Sequence, residues 1–303
     1  MDILYFLESI RSPLLDKIMM FITELGSETV FLAIALIVFW CYDKRKGYFI
    51  MSVGFAGTIL SQAMKITCRI PRPWVLDPNF TTVEGAQADA GGYSFPSGHS
   101  QSSVGTFGSL ARTTESKWIR FICIAIAVLV PFSRMYVGVH TPADVLVGSA
   151  ISLVLIFALR PFVYSNHPKA MPRLFAVMVG IAVVYLAYVE LFPFPADTDS
   201  ANLNSAVKNA YTLLGALLGV VVAYYADEKR LHFEVKTIWW AQIIKVVMGL
   251  LVVLAIKSGL KEPLDTLFAG HHIARGIRYF LVVLAAGVAW PAIFSMFSKF
   301  GKR

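Results

Sequence analysis

The stretch ADVLVGSAISLVLIFALR, residues 143–160, carries one acidic residue near its start, one basic residue at its end and no charge between them. A helix needs about 20 predominantly apolar residues to cross a bilayer, so a run of this length and composition predicts a transmembrane span. Eight further runs of similar character lie at 28–42, 47–65, 98–111, 118–134, 173–192, 205–226, 237–256 and 277–298. The sequence therefore predicts an all-α, polytopic membrane helix bundle of about nine transmembrane helices.

Composition agrees with this class and excludes others. The chain is 57% hydrophobic and 15% charged, which is too apolar for a soluble globule. Its net charge of +8 comes from Lys and Arg in short clusters between the apolar runs, as topology signals do, and we find no nucleic-acid signature. The three cysteines lack C-x-x-C spacing, which indicates neither a disulfide framework nor a zinc site. We expect no cofactor, and the oligomeric state is left open.

The chain divides into three predicted parts. Charged residues interrupt the apolar positions of residues 1–27, which predicts an amphipathic helix at the membrane interface and not a span. Residues 28–162 then form the predicted helical core, which contains all the candidate site residues. After a basic loop near 161–172, residues 163–303 form a C-terminal transmembrane extension of about four helices.

The loops predict the orientation. Five short segments hold fifteen Lys and Arg between them, and all five fall on one side if the nine spans alternate: 43–47, 111–120, 160–173, 227–236 and 299–303. Because basic loops stay in the cytoplasm, we expect the opposite ends of the helices to be extracytoplasmic. The protein is therefore predicted to be a multi-pass cell-membrane protein.

At the predicted outer end of the 143–160 run, His140 precedes a good helix start. Thr141 suits the N-cap, Pro142 the first helical position and Asp144 the third, so Asp144 is predicted to complete a capping box. Asp144 also lies one turn after His140, where it can accept a hydrogen bond from one ring nitrogen and leave the other as a nucleophile. Both roles are compatible.

A second helix is predicted to start at Ser97-Gly98-His99. The first N–H groups of a helix bind anions, so Ser97 as N-cap and Gly98 as a point of close approach favour a phosphate there, with His99 placed to exchange a proton. The alternative is a simple turn followed by a core histidine.

Three cations complete the candidate site. Pro71 and Pro73 restrict the backbone around Arg72, while Lys65 ends the preceding span and Arg134 ends the span before His140. Taken alone, Lys65 could be a snorkelling lysine and Arg72 a headgroup contact. The alternation of spans, however, places all these residues on one face. Cations, a helix N-terminus and two histidines together indicate metal-free phosphoryl transfer.

The chain resembles the type 2 phosphatidic acid phosphatase (PAP2) superfamily, which is related to glucose-6-phosphatase and vanadium haloperoxidases. The resemblance rests on Lys65-(six)-Arg72-Pro73, Pro96-Ser97-Gly98-His99 and Ser133-Arg134-(five)-His140-(three)-Asp144. It implies that His140 forms a phosphohistidine, that Asp144 orients it and that His99 is the general acid. It also implies a phosphate-binding set of Lys65, Arg72, Ser97, Gly98 and Arg134, with no metal.

Several functions fit these motifs. The first is hydrolysis of a lipid or isoprenoid phosphate or diphosphate at the extracytoplasmic face, and the second is the same chemistry on a sugar phosphate. A non-catalytic transporter or scaffold is a third. Two features stay open: Lys245, predicted near the middle of a span, is either cavity-lining or structural, and the loop 74–96 is either a lid over the site or a disordered surface loop.

Overall fold

A computed structural model describes residues 1–88 and 90–298. In the first half, the helices are α1 (Asp2–Ser9), α2 (Pro13–Glu24), α3 (Glu28–Cys41), α4 (Lys44–Cys68), α5 (Pro73–Leu76), α6 (Gly98–Thr113), α7 (Lys117–Tyr136) and α8 (Pro142–Val163). The second half has α9 (Ala170–Leu191), α10 (Ser200–Ala226), α11 (Trp239–Gly259), α12 (Lys261–Leu267), α13 (Ile273–Leu284), α14 (Trp290–Ala292) and α15 (Phe294–Ser298). π-Helical turns follow α10 at Asp227–Leu231 and α13 at Ala285–Ala289. The prediction of an all-α membrane protein is confirmed for the described residues.

The count of nine spans is not confirmed. Over the described residues, seven helical segments are long and apolar enough to cross a membrane, or eight if α2 and α3, which meet at a bend of 49°, form one broken span. The predicted span 98–111 is the 16-residue α6, which is short and rich in serine. The predicted span 28–42 is the 14-residue α3, which is too short to cross alone.

Two short helices occupy the predicted interfacial segment. Large apolar side chains on α1 and α2 are exposed, among them Phe6, Leu14 and Phe21 at 64%, 71% and 70%. This pattern fits amphipathic helices at a membrane surface, and the interfacial location stays a prediction.

The chain forms two compact units. Unit 1 consists of Met1–Ile34, Phe49–Pro161 and Phe194–Ser205, and it contains every residue of the three motifs. Unit 2 consists of Ala35–Tyr48, Phe162–Pro193 and the chain from Ala206 onward. The predicted domain boundaries near residues 27 and 162 stay a prediction, and the last five residues of the predicted extension lie outside the described part.

Within unit 1, the loop that follows α5 is packed and not a disordered surface loop. Phe80, Val83 and Ala86 are all less than 8% exposed, and Val83 donates its N–H to the carbonyl of Val137. The N-terminal helices hold the same loop, since Tyr5 donates to Asp77 and Arg11 donates to the carbonyl of Thr81. The loop therefore has its own small core against the end of α7. Asp89, which the lid hypothesis included, lies outside the described residues.

In unit 2, hydrogen bonds satisfy the charge of Lys245, which the sequence left as either a cavity-lining or a structural residue. Lys245 is fully buried, and its ammonium donates to the carbonyls of Glu234 and Val235 at 3.2 Å and lies 4.4 Å from the centre of the Phe294 ring. These contacts support the structural alternative: Lys245 holds the irregular segment before α11 against the helix.

Candidate active site

The His140–Asp144 pair is buried at the start of α8. His140 is 2% exposed and Asp144 1%, and His140 Nδ1 lies 3.5 Å from Asp144 Oδ2. Asp144 Oδ2 also accepts from the N–H of Thr141 at 2.7 Å, and the N–H of Asp144 donates to Thr141 Oγ1 at 3.3 Å. The predicted capping box is present, so one carboxylate both caps the helix and faces the histidine.

Arg72 defines which nitrogen of His140 carries the lone pair. Arg72 Nη1 lies 2.8 Å from His140 Nε2, and a guanidinium can only donate. Nε2 is therefore the acceptor, and the proton of a neutral imidazole resides on Nδ1, towards Asp144. The carbonyls of Gly91, Gly92 and Val139 take the remaining hydrogen bonds of Arg72 at 2.8–3.0 Å. These bonds fix the guanidinium next to His140 Nε2.

The other two cations come from the ends of long helices. Lys65, in the last turn of α4, donates to the carbonyl of Tyr93. Arg134, in the last turn of α7, is 1% exposed and donates from Nη1 to Thr23 Oγ1 at 2.8 Å. Both side chains are thus held by residues outside the three motifs.

The start of α6 has the predicted geometry. Ser97 is the N-cap, its Oγ accepts from the N–H of Ser100 at 3.3 Å, and its own N–H donates to the carbonyl of Asp144 at 2.9 Å. A Cβ on Gly98 would meet nothing within 4 Å, so the backbone here is open to a ligand. The N–H groups of this first turn can donate to a phosphate oxygen.

Close backbone contacts fix this turn from two sides. A Cβ on Gly148 of α8 would lie 2.5 Å from the carbonyl oxygen of Ser97, and a Cβ on Gly26 would lie 2.9 Å from that of His99. Both positions therefore require glycine, because any side chain would push the start of α6 away from its neighbours.

One cavity brings these side chains together. Its volume is about 280 Å³, and its wall includes Lys65, Arg72, Gly98, His99, Arg134 and His140. Ser97 and Asp144 lie directly behind that wall, through the contacts described above. All eight residues predicted from the sequence therefore belong to one local site in unit 1.

Sequence reasoning missed two contributors. Ser94 is fully buried, donates from Oγ to Asp144 Oδ2 at 2.6 Å and donates its N–H to the carbonyl of Ile70 at 2.8 Å. It links the Arg72 loop to the His140–Asp144 pair. Thr23, at the end of α2, is 1% exposed and holds Arg134. Neither residue has a local signal, because both act through contacts distant in sequence.

The electrostatics of the cavity favour the neutral form of His140. Burial, together with the nearby charges of Arg72, Arg134 and Lys65, holds the pKa of His140 well below its usual value. A histidine with a lowered pKa keeps its lone pair at neutral pH. Among residues 1–88 and 90–298, no group of three or more His, Cys, Asp or Glu side chains is arranged to hold a metal ion.

An all-α membrane protein in which one cavity joins two histidines with three cations has the groups that a phosphoric ester hydrolase needs. Comparison with known proteins supports this class. The family described as PAP2 superfamily matches residues 46–168, and the family described as PAP2 superfamily phosphatase, transmembrane extension, matches residues 211–302. No solved structure matches the chain significantly.

Individual relatives are phosphatases. The chain is 31% identical to undecaprenyl-diphosphatase BcrC of Bacillus subtilis over 164 residues, which cover 50% of this chain and 81% of the relative. It is 29% identical to phosphatidylglycerophosphatase B of the same organism, with 50% and 77% covered. It is 23% identical to sphingosine-1-phosphate phosphatase 1 of Mus musculus, with 79% of this chain and 58% of the relative covered. The chain belongs to the PAP2 superfamily and is a phosphoric ester hydrolase.

Proposed function

We propose that the protein hydrolyses a lipid or isoprenoid phosphate at the extracytoplasmic face of the membrane through a phosphohistidine intermediate. The observation that carries this proposal is the orientation of His140, whose Nδ1 faces Asp144 while Nε2 faces Arg72 in the cavity. A phosphate that takes over the contact with Arg72 then lies against the lone pair of Nε2.

The proposed chemistry has two steps. Arg72, Lys65, Arg134 and the first turn of α6 hold the phosphate oxygens, and His140 Nε2 attacks phosphorus. A P–N bond forms, the ester P–O bond breaks, and His99 gives a proton to the leaving alcohol. Water then attacks the phosphohistidine and gives a proton to His99, the P–N bond breaks, and inorganic phosphate leaves. Asp144 stabilises the positive charge on the imidazole.

The helix ends support the extracytoplasmic side. The end of α4, the start of α6, the end of α7 and the start of α8 all contribute to the site, whereas the opposite ends of these helices carry basic clusters such as 43–47 and 111–120. Basic clusters favour the cytoplasm, so the site is expected on the other side. The basic segment 299–303, which entered the same argument, lies outside the described residues.

A lipid substrate is supported by the relatives and by the site's surroundings. The three relatives above are named for undecaprenyl diphosphate, phosphatidylglycerophosphate and sphingosine 1-phosphate, all of which carry long apolar chains. In this chain, Val75 and Leu76 of α5, which follow Arg72 closely, are 60% and 53% exposed. Exposed apolar side chains beside a phosphate site favour a ligand with an apolar tail.

The test is a turnover assay combined with trapping of the intermediate. Purified protein in lipid nanodiscs is offered phosphatidate, sphingosine 1-phosphate, an isoprenyl diphosphate and glucose 6-phosphate. We expect hydrolysis of one or more of the lipid phosphates and a lower kcat/KM for glucose 6-phosphate. His140→Ala should abolish turnover and ³²P labelling, while His167→Ala, at an exposed loop histidine in unit 2, serves as the matched control. Retention of more than a few per cent of activity in His140→Ala would refute the assigned nucleophile.

A further inference from the structure

The cavity that holds the phosphate-binding residues has a second polar wall that phosphoryl transfer does not use. Thr58, Ser61 and Gln62 of α4 and Gln101 and Ser102 of α6 line it, and none of them belongs to the signature motifs. Hydroxyl and amide groups therefore face a ligand beyond its phosphate.

Two hydroxyls of this wall have no hydrogen-bond partner among the described residues. Ser61 is 2% exposed, and its Oγ is buried without a partner, as is the Oγ of Ser102. Buried polar atoms in proteins are nearly always paired, and an unpaired hydroxyl at the wall of a binding cavity marks a place where a ligand group can satisfy it. Ser52 and Ser109 are also buried and unpaired, but they do not line the cavity, so they provide a comparison.

Helical spacing gives the distance from the phosphate. Ser61 precedes Lys65 by four residues on α4, and Ser102 follows Gly98 by four residues on α6, so each serine lies one turn further along the same helix face. Because α4 ends and α6 begins at the phosphate site, both steps lead in the same direction, towards the middle of the helices. One helical turn is about 5.4 Å, which two or three carbon–carbon bonds and the ester oxygen can span.

The charges of the wall restrict the chemistry of the ligand. The three cations of the cavity belong to the phosphate site, and the remaining charged residue among the described lining residues is Glu28, a carboxylate. A second phosphate at the serines would find no cation of its own in this described lining. A hydroxyl or an ammonium group can instead pair with neutral hydroxyls, amides and a carboxylate.

We propose that Ser61 and Ser102 form a subsite for a hydroxyl or ammonium group within about three carbons of the scissile phosphate. The inference rests on the proposed phosphatase function and extends it: the preferred substrate is a lipid phosphate with a polar group beside the phosphate, such as an amino-alcohol phosphate. An alkyl phosphate or an isoprenyl diphosphate lacks that group.

The test measures selectivity in four single variants. Sphingosine 1-phosphate, which carries a neighbouring ammonium and hydroxyl, is compared with octadecyl phosphate, which carries neither. For each protein the result is the ratio of the two kcat/KM values. We expect Ser61→Ala and Ser102→Ala each to lower this ratio about five- to tenfold, as the loss of one hydrogen bond to the substrate predicts. Ser52→Ala and Ser109→Ala, at unpaired serines outside the cavity, should keep the wild-type ratio.

The outcomes separate this inference from the proposed function. Removing an unpaired hydroxyl should not weaken folding, and thermal unfolding of each variant checks this point. An unchanged ratio in Ser61→Ala and Ser102→Ala, or an equal fall in the two controls, would overturn the subsite while leaving the phosphatase function intact. If the wild-type protein hydrolysed neither of these two lipids, the subsite would also be overturned, because its preferred substrate carries the neighbouring polar group. The proposed function itself would fail only if phosphatidate and the isoprenyl diphosphate were not hydrolysed either.

Discussion

Replacing Thr23 by valine should weaken phosphate binding without touching any signature motif. The substitution keeps the shape of the side chain and removes the oxygen that accepts from Arg134 Nη1 at 2.8 Å. Hydrogen bonds to charged groups contribute about 1.5–3 kcal/mol, which corresponds to roughly a 10- to 150-fold change in an equilibrium constant. Since Arg134 makes further contacts, we expect a loss at the lower end, about tenfold in kcat/KM.

The assay for Thr23→Val has three measurements. These are kcat/KM on the preferred lipid phosphate, inhibition by vanadate, and the thermal midpoint Tm in the same detergent. Thr23→Ser should recover most of the activity, because it restores the acceptor. Thr113→Val is the matched control, since Thr113 Oγ1 donates to the carbonyl of Ser109 at the far end of α6. Wild-type vanadate affinity in Thr23→Val, or a loss that Thr23→Ser does not reverse, would refute the reasoning.

Other predictions concern the mechanism and the loop. Activity should survive EDTA, and vanadate should inhibit; loss on chelation that magnesium restores would contradict the metal-free mechanism. Because the pKa of His140 is lowered, its neutral, reactive form persists as the pH falls, so the acid limb of kcat/KM, corrected for substrate ionisation, should lie below pH 6.5. Asp144→Asn should reduce kcat strongly, and normal turnover in that variant would exclude an orienting role. Gly92 has a φ of 73° and its carbonyl accepts a hydrogen bond from Arg72, so Gly92→Ala strains the backbone that holds this cation. We therefore expect the variant to lower the turnover of bulky and small substrates equally. Gly180→Ala, which has open space for a Cβ, is its control, and a larger loss on the bulky lipid would support a lid instead.

The parts of the site that the sequence predicted are those with local signals. Thr141 and Asp144 fit a capping box, and Ser97 fits an N-cap, because these hydrogen bonds join residues three positions apart. The convergence of Lys65 and Arg134 followed from the alternation of helices, which needs only the order of the apolar runs. Periodicity and charge patterns are thus sufficient to locate such residues.

Contacts between distant segments could not be predicted in this way. The bonds of Thr23 to Arg134 and of Ser94 to Asp144 join residues 111 and 50 positions apart, and no pattern in either segment indicates the partner. The count of nine spans is not confirmed for a related reason. Hydropathy suggested a span at 98–111, but α6 owes its place to packing along α7, which a single-segment pattern does not show.

The short segment Phe194–Ser205 belongs to unit 1. In contrast, α9, which precedes it, and most of α10, which begins within it, belong to unit 2. Within unit 1, Asp197 pairs with Arg69 at 3.3 Å, and the N–H of Asp199 donates to the hydroxyl of Tyr93, whose carbonyl holds Lys65. A protein shortened to end with the family core at residue 168 would lose these supports along with the extension. A minimal catalytic fragment would therefore have to include Phe194–Ser205, either fused to the core or added as a separate peptide.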